Sequence, residues 1–306
     1  MLTCDDYLTP ASLDEAFAAM DRHRGGYRIV AGATDTLPWA REGRAGDVEV
    51  PAVIDIARIP ELRERRVEGA HVRLGAATPI QRFLDDPALA DALPCMPHCA
   101  VWFADDQIRE SATTGGNIVN ASPAADGTPP LIAHRAEVEL ASMQSGRIVR
   151  RRMPLEDFVT GPQQTALAPG ELLIAFECDA LPGYGGSFEK VGHRRSLVIS
   201  LVCLAVLVKL DRDGRRFEDV RLAIGGIAPV PHRLTDVEAF LRGASVETGR
   251  LQRAAEMPIA LVASRTRQAY RREVVRGFML RGLLNAVRRS GADPAALTPE
   301  LEASYA

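Results

Sequence analysis

Two stretches of this 306-residue chain combine small side chains with a high density of hydrogen-bond donors. One is Val30-Ala31-Gly32-Ala33-Thr34-Asp35-Thr36. The other runs through Thr113, Thr114, Gly115, Gly116 and Asn117. Glycine and alanine leave backbone N–H groups uncovered, and successive N–H groups converging on one concavity bind anions. Hydroxyls at Thr34, Thr113 and Thr114 add donors. The chemistry this equipment serves is the grip on a phosphate or pyrophosphate from two sides. Neither stretch holds Gly-x-Gly-x-x-Gly or a phosphate loop ending in Gly-Lys-Ser/Thr, so each taken alone also reads as a tight turn. Asp126, ten residues past Gly116, has the local reading of an Asx-turn before Gly127.

Metal and thiol chemistry find less support. Cys95 and Cys99 flank His98 in "CMPHC", but no second ligand pair follows, and no metal site is assigned. Clustered Cys-x2-Cys spacing for iron–sulfur ligation is absent. Five cysteines (Cys4, Cys95, Cys99, Cys178, Cys203), an odd number with no secretory signal in "MLTCDDYLTP", favour reduced thiols in a cytoplasmic protein.

The elements that must position the two loops follow from pattern. Ser12-Leu13-Asp14-Glu15 opens a helix to Arg22 as a capping box. "YRIVAG" (27–32) is a strand that delivers the first loop, and Thr34 or Asp35 can cap the helix or turn behind it. Strands are expected at 51–57 and 71–77. A helix over 78–93 has Thr78 as cap and Pro79 at its first position, and a helix over 98–112 leads into the second loop. A hairpin is expected over 136–142 and 146–155, and a strand over 171–180. "LPGYGG" (181–186) breaks the pattern and is the main domain boundary. Beyond it come a buried strand over 197–209, a turn at Asp211-Arg212-Asp213-Gly214, a strand over 217–228, and helices near 235–242, 246–256 and 266–290. The residue balance, 46% hydrophobic and 25% charged with a net charge of −3, is that of a globular protein without a nucleic-acid-binding face. Arg150-Arg151-Arg152 is too short a basic run to change this, and reads as a solvated strand end or a partner contact. The longest apolar run, "LVISLVCLAVLVKL", is too short to span a membrane.

Taken together, "IVAGATDTLP", "QIRESATTGGNIVNASPAAD", "PPLIAHRAEVEL", "GELLIAFE", "FEKVGHRRS" and "SRTRQAYRREVV" resemble, in order, segments of the FAD-binding medium subunits of the molybdenum hydroxylases, the xanthine dehydrogenase and carbon monoxide dehydrogenase family. The resemblance implies an α+β chain. A two-subdomain FAD-binding fold of the PCMH (vanillyl-alcohol-oxidase-like) type would cover 1–181, with subdomains of about 1–58 and 59–181. A C-terminal α/β domain with a small antiparallel sheet and helices would cover 182–306.

The same resemblance implies site roles. Val30, Ala31, Gly32, Ala33, Thr34, Asp35 and Thr36 would supply backbone donors to the FAD pyrophosphate. Ala33 replaces a more usual second glycine and fits with a negative φ. Thr113, Gly115, Gly116 and Asn117 would form the opposite wall, small because cofactor occupies the space. Asp126 would accept from cofactor hydroxyls. Phe103 would pack beside the cofactor, or in the core. Leu173 would turn its backbone to the flavin ring, or be ordinary core. Lys190 would stand near the flavin's reactive edge, or be solvated at a strand end. No catalytic residue is assigned to this chain. After Arg194-Arg195, some relatives that reduce NAD carry acidic residues where this chain has Ser196-Leu197-Val198, which counts against NAD as final acceptor.

The function implied is electron transfer within a molybdenum hydroxylase complex. A molybdenum-cofactor large subunit and a 2Fe-2S small subunit would be the partners, in a heterotrimer or its dimer. The alternative is a self-sufficient FAD oxidase of the vanillyl-alcohol-oxidase fold.

Overall fold

The computed structural model describes residues 2–194, 197–262 and 266–291. Arg195 and Ser196, and the Ser264-Arg265 start of the expected closing-helix motif, lie outside the described residues, as does the chain beyond Gly291.

The N-terminal unit is a parallel sheet of β1 (Thr3–Leu8), β2 (Tyr27–Val30) and β3 (Glu49–Asp55), in the order β1-β3-β2. Helix α1 (Leu13–Arg22) makes the crossover between the first two strands. Ser12 Oγ accepts the Glu15 amide at 3.2 Å, and the Glu15 carboxylate reaches back to the Ala11 amide at 2.8 Å, so the expected capping box forms with its return bond one residue early. Leu13, Ala16, Phe17 and Met20 make the buried stripe of α1. After β2 the chain turns through residues 31–35 into α2 (Thr36–Arg41). Asp35 stands at its N-cap but makes no capping bond; its Oδ2 instead accepts from Asn120 Nδ2 at 2.9 Å.

The middle unit is an antiparallel sheet ordered β4-β5-β10-β6-β7, from β4 (Arg65–Glu68), β5 (His71–Gly75), β6 (Glu137–Gln144), β7 (Arg147–Pro154) and β10 (Glu171–Asp179); β8 (Val159–Gly161) and β9 (Gln164–Thr165) form a separate short ladder. Short helices connect these strands: α3 (Arg82–Asp85), α4 (Pro87–Ala92), α5 (Met96–Trp102), α6 (Asp106–Ser111), α7 (Thr114–Val119), α8 (Thr128–Ala133) and α9 (Leu155–Phe158).

Both long helices expected here are broken, and in each an aspartate caps the segment that follows the break. Asp86 precedes Pro87 and is held extended; its carboxylate caps α4 at the Ala88 and Leu89 amides. Thr78 caps nothing. Phe103 and Ala104, the latter at φ 46°, interrupt the second helix, and Asp105 restarts it by accepting the Ile108 amide at 2.8 Å. The run Arg150–Arg152 lies within β7, not at its end, and its side chains are solvent-exposed but paired. Arg150 and Arg152 clamp Glu139 across the sheet, and Arg151, pointing the other way, pairs with Glu171.

The C-terminal unit is an antiparallel sheet of β11 (Gly185–Val191), β12 (Val202–Leu210), β13 (Phe217–Gly225) and β14 (His232–Arg233), backed by α10 (Thr235–Leu241), α11 (Thr248–Glu256) and α12 (Gln268–Arg289). β12 starts at Val202, later than the expected 197. It reads as continuously apolar because both its faces are covered. Val202, Leu204, Val206 and Val208 join the core under α12, while Cys203, Ala205 and Leu207 join the core of the middle unit. That shared core fixes the C-terminal sheet against the middle unit. Gly185 and Gly186 allow close approach on opposite faces of β11: a Cβ on the first would overlap the Ala286 carbonyl of α12, and one on the second the Pro94 carbonyl. Among the described residues no helix is long and apolar enough to cross a membrane.

Candidate functional site

The first loop carries the feature most specific to anion binding. Among the described residues, the amides of Ala31, Gly32, Ala33, Thr34, Asp35 and Thr36 donate to no protein acceptor, although Val30 and Ala33 lend their carbonyls to Ile56 and Leu37. Ala33 has φ 54°, not the negative value its Cβ favours. The left-handed region costs a non-glycine residue about 1–2 kcal/mol. A residue held there within a run of unbonded amides has the backbone form of an anion nest.

The second loop differs from expectation. Three of its amides are spent within the protein: Thr114 N–H donates to Thr78 O at 2.9 Å, Gly115 N–H to Ala76 O at 2.8 Å, and Gly116 N–H to Thr113 Oγ1 at 3.1 Å. The Thr114 hydroxyl is also spent, on Thr78 O at 3.1 Å. Gly115 is small for packing. A Cβ on Gly115 would lie 2.7 Å from both the Ala76 carbonyl and its side chain, and one on Gly32 would overlap the Ser111 carbonyl, where the two loops touch. Gly116 lies inside α7, and its added Cβ would meet only Thr113 Oγ1, at 2.9 Å. Asn117 Oδ1 accepts the Gly127 amide at 3.1 Å and so ties the second loop to the Asp126 turn; its Nδ2 has no protein acceptor among the described residues. Beside this loop the fully buried Thr78 Oγ1 has no hydrogen-bond partner among the described residues.

Asp126 and Lys190 are brought into direct contact. Lys190 Nζ lies 2.5 Å from Asp126 Oδ2, with both side chains less than a tenth exposed, and also donates to Trp102 O at 3.1 Å. Lys190 is therefore not solvated. Ser200 donates to Asp126 Oδ1 at 2.5 Å, and Cys99 Sγ sits 3.3 Å from the Asp126 carbonyl. Burial pushes the Asp126 carboxyl upward, and the Lys190 charge and the Lys190 and Ser200 hydrogen bonds pull against it. The Asx-turn does not form, since Gly127 N–H goes to Asn117 and Thr128 N–H to Ala125 O. The sequence reading missed Ser200; its one signal was a hydroxyl interrupting an apolar run.

Phe103 is half-buried against the large core, with its carbonyl taken by Arg109 Nη1 at 3.1 Å. Leu173 is a core side chain. Its backbone stands at a shift in the pairing of β10 with β6, and that irregularity lets Leu173 and Phe176 enter one core while Leu172 and Ile174 enter another. Burial raises the Cys95 and Cys99 thiols, and among the described residues no three His, Cys, Asp or Glu side chains cluster as a metal site would require.

A small parallel unit and an antiparallel unit meet at a run of free amides, and a third sheet closes over the carboxylate that follows. This is the architecture of a two-subdomain nucleotide clamp with a C-terminal domain. Comparison with known proteins gives the clamp its cofactor. The family of the FAD binding domain in molybdopterin dehydrogenase matches residues 3–178, and that of the CO dehydrogenase flavoprotein C-terminal domain matches 187–286. The chain is 31% identical over 242 residues to a putative xanthine dehydrogenase FAD-binding subunit of Escherichia coli (strain K12), covering 78% of this chain and 80% of that one. It is 30% identical to the nicotine 6-hydroxylase medium subunit of Paenarthrobacter nicotinovorans, covering 82% and 84%. Its fold superposes on a chain of the carbon monoxide dehydrogenase of Hydrogenophaga pseudoflava with a TM-score of 0.84 at 28% identity, covering 94% of this chain and 99% of that one. The chain belongs to the family of FAD-binding medium subunits of the molybdenum hydroxylases; its cofactor is FAD and its class oxidoreductase.

Proposed function

We propose that this chain is the electron-transfer subunit of a molybdenum hydroxylase complex. It would receive electrons from the 2Fe-2S clusters of a small subunit, which are filled by a large subunit holding the molybdenum cofactor, and would deliver them to a final acceptor. The observation that carries the cofactor side of this reading is the run of six unbonded amides from Ala31 to Thr36. A pyrophosphate is the group such a run satisfies, and FAD has one while FMN does not. When bound, FAD supplies the redox chemistry.

The chain's own residues have distinct roles in this reading. Ala31–Thr36 hold the pyrophosphate. Asn117 Nδ2 offers a polar contact from the opposite wall, whose Thr113, Gly115 and Gly116 hold the backbone shape. Phe103 and the Leu173 backbone border the ring. Asp126 and Lys190 act as one neutral, hydrogen-bonding pair at its edge, so the flavin feels a dipole and not a lone cation. The domain division at 181/182 belongs to the same reading, supported by the family matches on either side of it, as do the heterotrimer or its dimer and a cytoplasmic setting.

Co-purification tests the proposal. The tagged chain expressed in its native host is expected to bring down two further subunits with molybdenum and iron, and acid precipitation is expected to release FAD. Recovery of FMN would overturn the pyrophosphate assignment. A lone yellow protein that oxidises a substrate unaided would overturn the electron-transfer role.

A further inference from the structure

A second cavity lies outside the loops assigned to FAD. It is a cleft of about 540 Å³ between α5, β11 and the C-terminal half of α12. This is within the roughly 300–1,000 Å³ of small-molecule sites. Of the residues assigned to the cofactor only Lys190 lines it. β11 is the edge strand of its sheet, with α5 packed on one face and α12 on the other, so the cleft is formed by rigid elements and not by loops.

The charges lining the cleft do not cancel. Lys190 is neutralised by Asp126. Arg281 is neutralised by Glu189, whose carboxylate also accepts from Asn285 at 3.0 Å and Ser187 at 3.2 Å and is thereby saturated. Arg289 is left over. It donates to the Gly186 carbonyl at 2.9 Å and has no carboxylate partner among the described residues. The neighbouring His98 makes no hydrogen bond to the protein among the described residues. Burial, and then the Arg289 charge, hold its imidazole down to about 4, so it is neutral and presents one ring N–H. The remaining wall is apolar and aromatic: Trp102 is 48% exposed and Val101 59% exposed, with Phe278 beneath.

We propose that this cleft binds a planar monoanion, an aromatic or heteroaromatic carboxylate, with its carboxylate on Arg289 and His98 and its ring against Trp102. A guanidinium fork meets a carboxylate with two parallel N–H···O bonds, and the imidazole N–H supplies a third donor. The ring covers apolar surface that a soluble domain otherwise leaves wet. One uncompensated cation in the lining selects one negative charge, and a dianion would leave a charge unpaired.

The test uses the FAD-loaded chain, with 2-naphthoate as probe and its neutral analogue 2-naphthamide as control. Calorimetry is expected to show saturable 1:1 binding of 2-naphthoate with FAD retained, and 2-naphthamide at least tenfold weaker. Arg289→Gln is expected to weaken naphthoate at least tenfold and to erase its preference over the amide. Trp102→Leu, on an exposed side chain, is expected to weaken both probes about equally. Retained flavin absorbance and an unchanged circular dichroism spectrum certify that both variants fold. Equal binding of acid and amide to the unaltered chain would overturn the charge assignment. Displacement of FAD by naphthoate would place the probe in the cofactor site, and no saturable binding would overturn the site itself.

Discussion

Lys190→Met is the substitution whose consequence the structure defines most closely. Methionine keeps the length of the side chain and removes its charge. The lysine ammonium lies 2.5 Å from Asp126 Oδ2, and the two side chains are 4% and 9% exposed. Removing one partner of such a pair costs about 3–5 kcal/mol, because the survivor must keep its charge in a poorly solvating site or give it up. Asp126 can give it up: burial already pushes its carboxyl upward, and the variant loses the strongest force pulling it back. The expected loss is therefore at the lower end, about 3 kcal/mol at pH 7. Because the unfolding entropy grows with chain length, a 306-residue protein shifts by roughly 1.6 °C per kcal/mol, and the unfolding midpoint should fall by about 5 °C. The deficit should shrink as the pH is lowered, because a carboxyl whose folded-state pKa is raised takes up its proton in the folded state first. Lys190→Met combined with Asp126→Asn removes both charges and keeps an acceptor for Ser200, and should lose no more than about half as much. Thermal unfolding of the FAD-loaded protein, followed by circular dichroism for both single variants and the double, measures the cycle. Additivity of the single effects within about 0.5 kcal/mol would mean that the pair is not coupled, and the reasoning would fail.

Three further outcomes follow from particular contacts. Gly115→Ala, whose Cβ would lie 2.7 Å from the Ala76 carbonyl, should lower both stability and FAD content, whereas Gly116→Ala, facing only Thr113 Oγ1, should retain most of the flavin; FAD-to-protein absorbance ratios separate the two. Glu139→Gln should cost about 1.5–3 kcal/mol in urea unfolding, since it removes the charged acceptor shared by Arg73, Arg150 and Arg152. His134 is fully buried and held at about 4 by burial, below the ordinary 6.5, so it must charge on unfolding but not on folding. Its contribution, up to about 3 kcal/mol, is present above pH 6.5 and lost as the pH falls toward 4; His134→Leu should flatten the pH dependence of the unfolding midpoint over that interval.

What can be read from the residues alone is what depends on neighbours within a few positions or on strict periodicity. The Ser12 capping box, the Asp211–Gly214 turn and the hairpin of β6 and β7 are local, and each forms where the pattern places it. The apolar run through β12 announced a strand buried on both faces, because only burial on both sides removes the polar alternation. Segment resemblance was enough for the family and the cofactor. Tertiary structure decided which of the donor-rich loops keeps its donors. Gly32 is pressed against Ser111 and Gly115 against Ala76, and the carbonyls of Thr78 and Ala76 take up the Thr114 and Gly115 amides; no local pattern encodes that docking. It also decided the partners of the charged residues. Lys190 finds Asp126 across 64 residues and Ser200 finds it across 74, where the C-terminal sheet closes on the middle unit. A carboxylate or an ammonium is legible as a residue type anywhere in a chain, but its electrostatic meaning is set by what sheet register and domain packing bring within hydrogen-bonding reach.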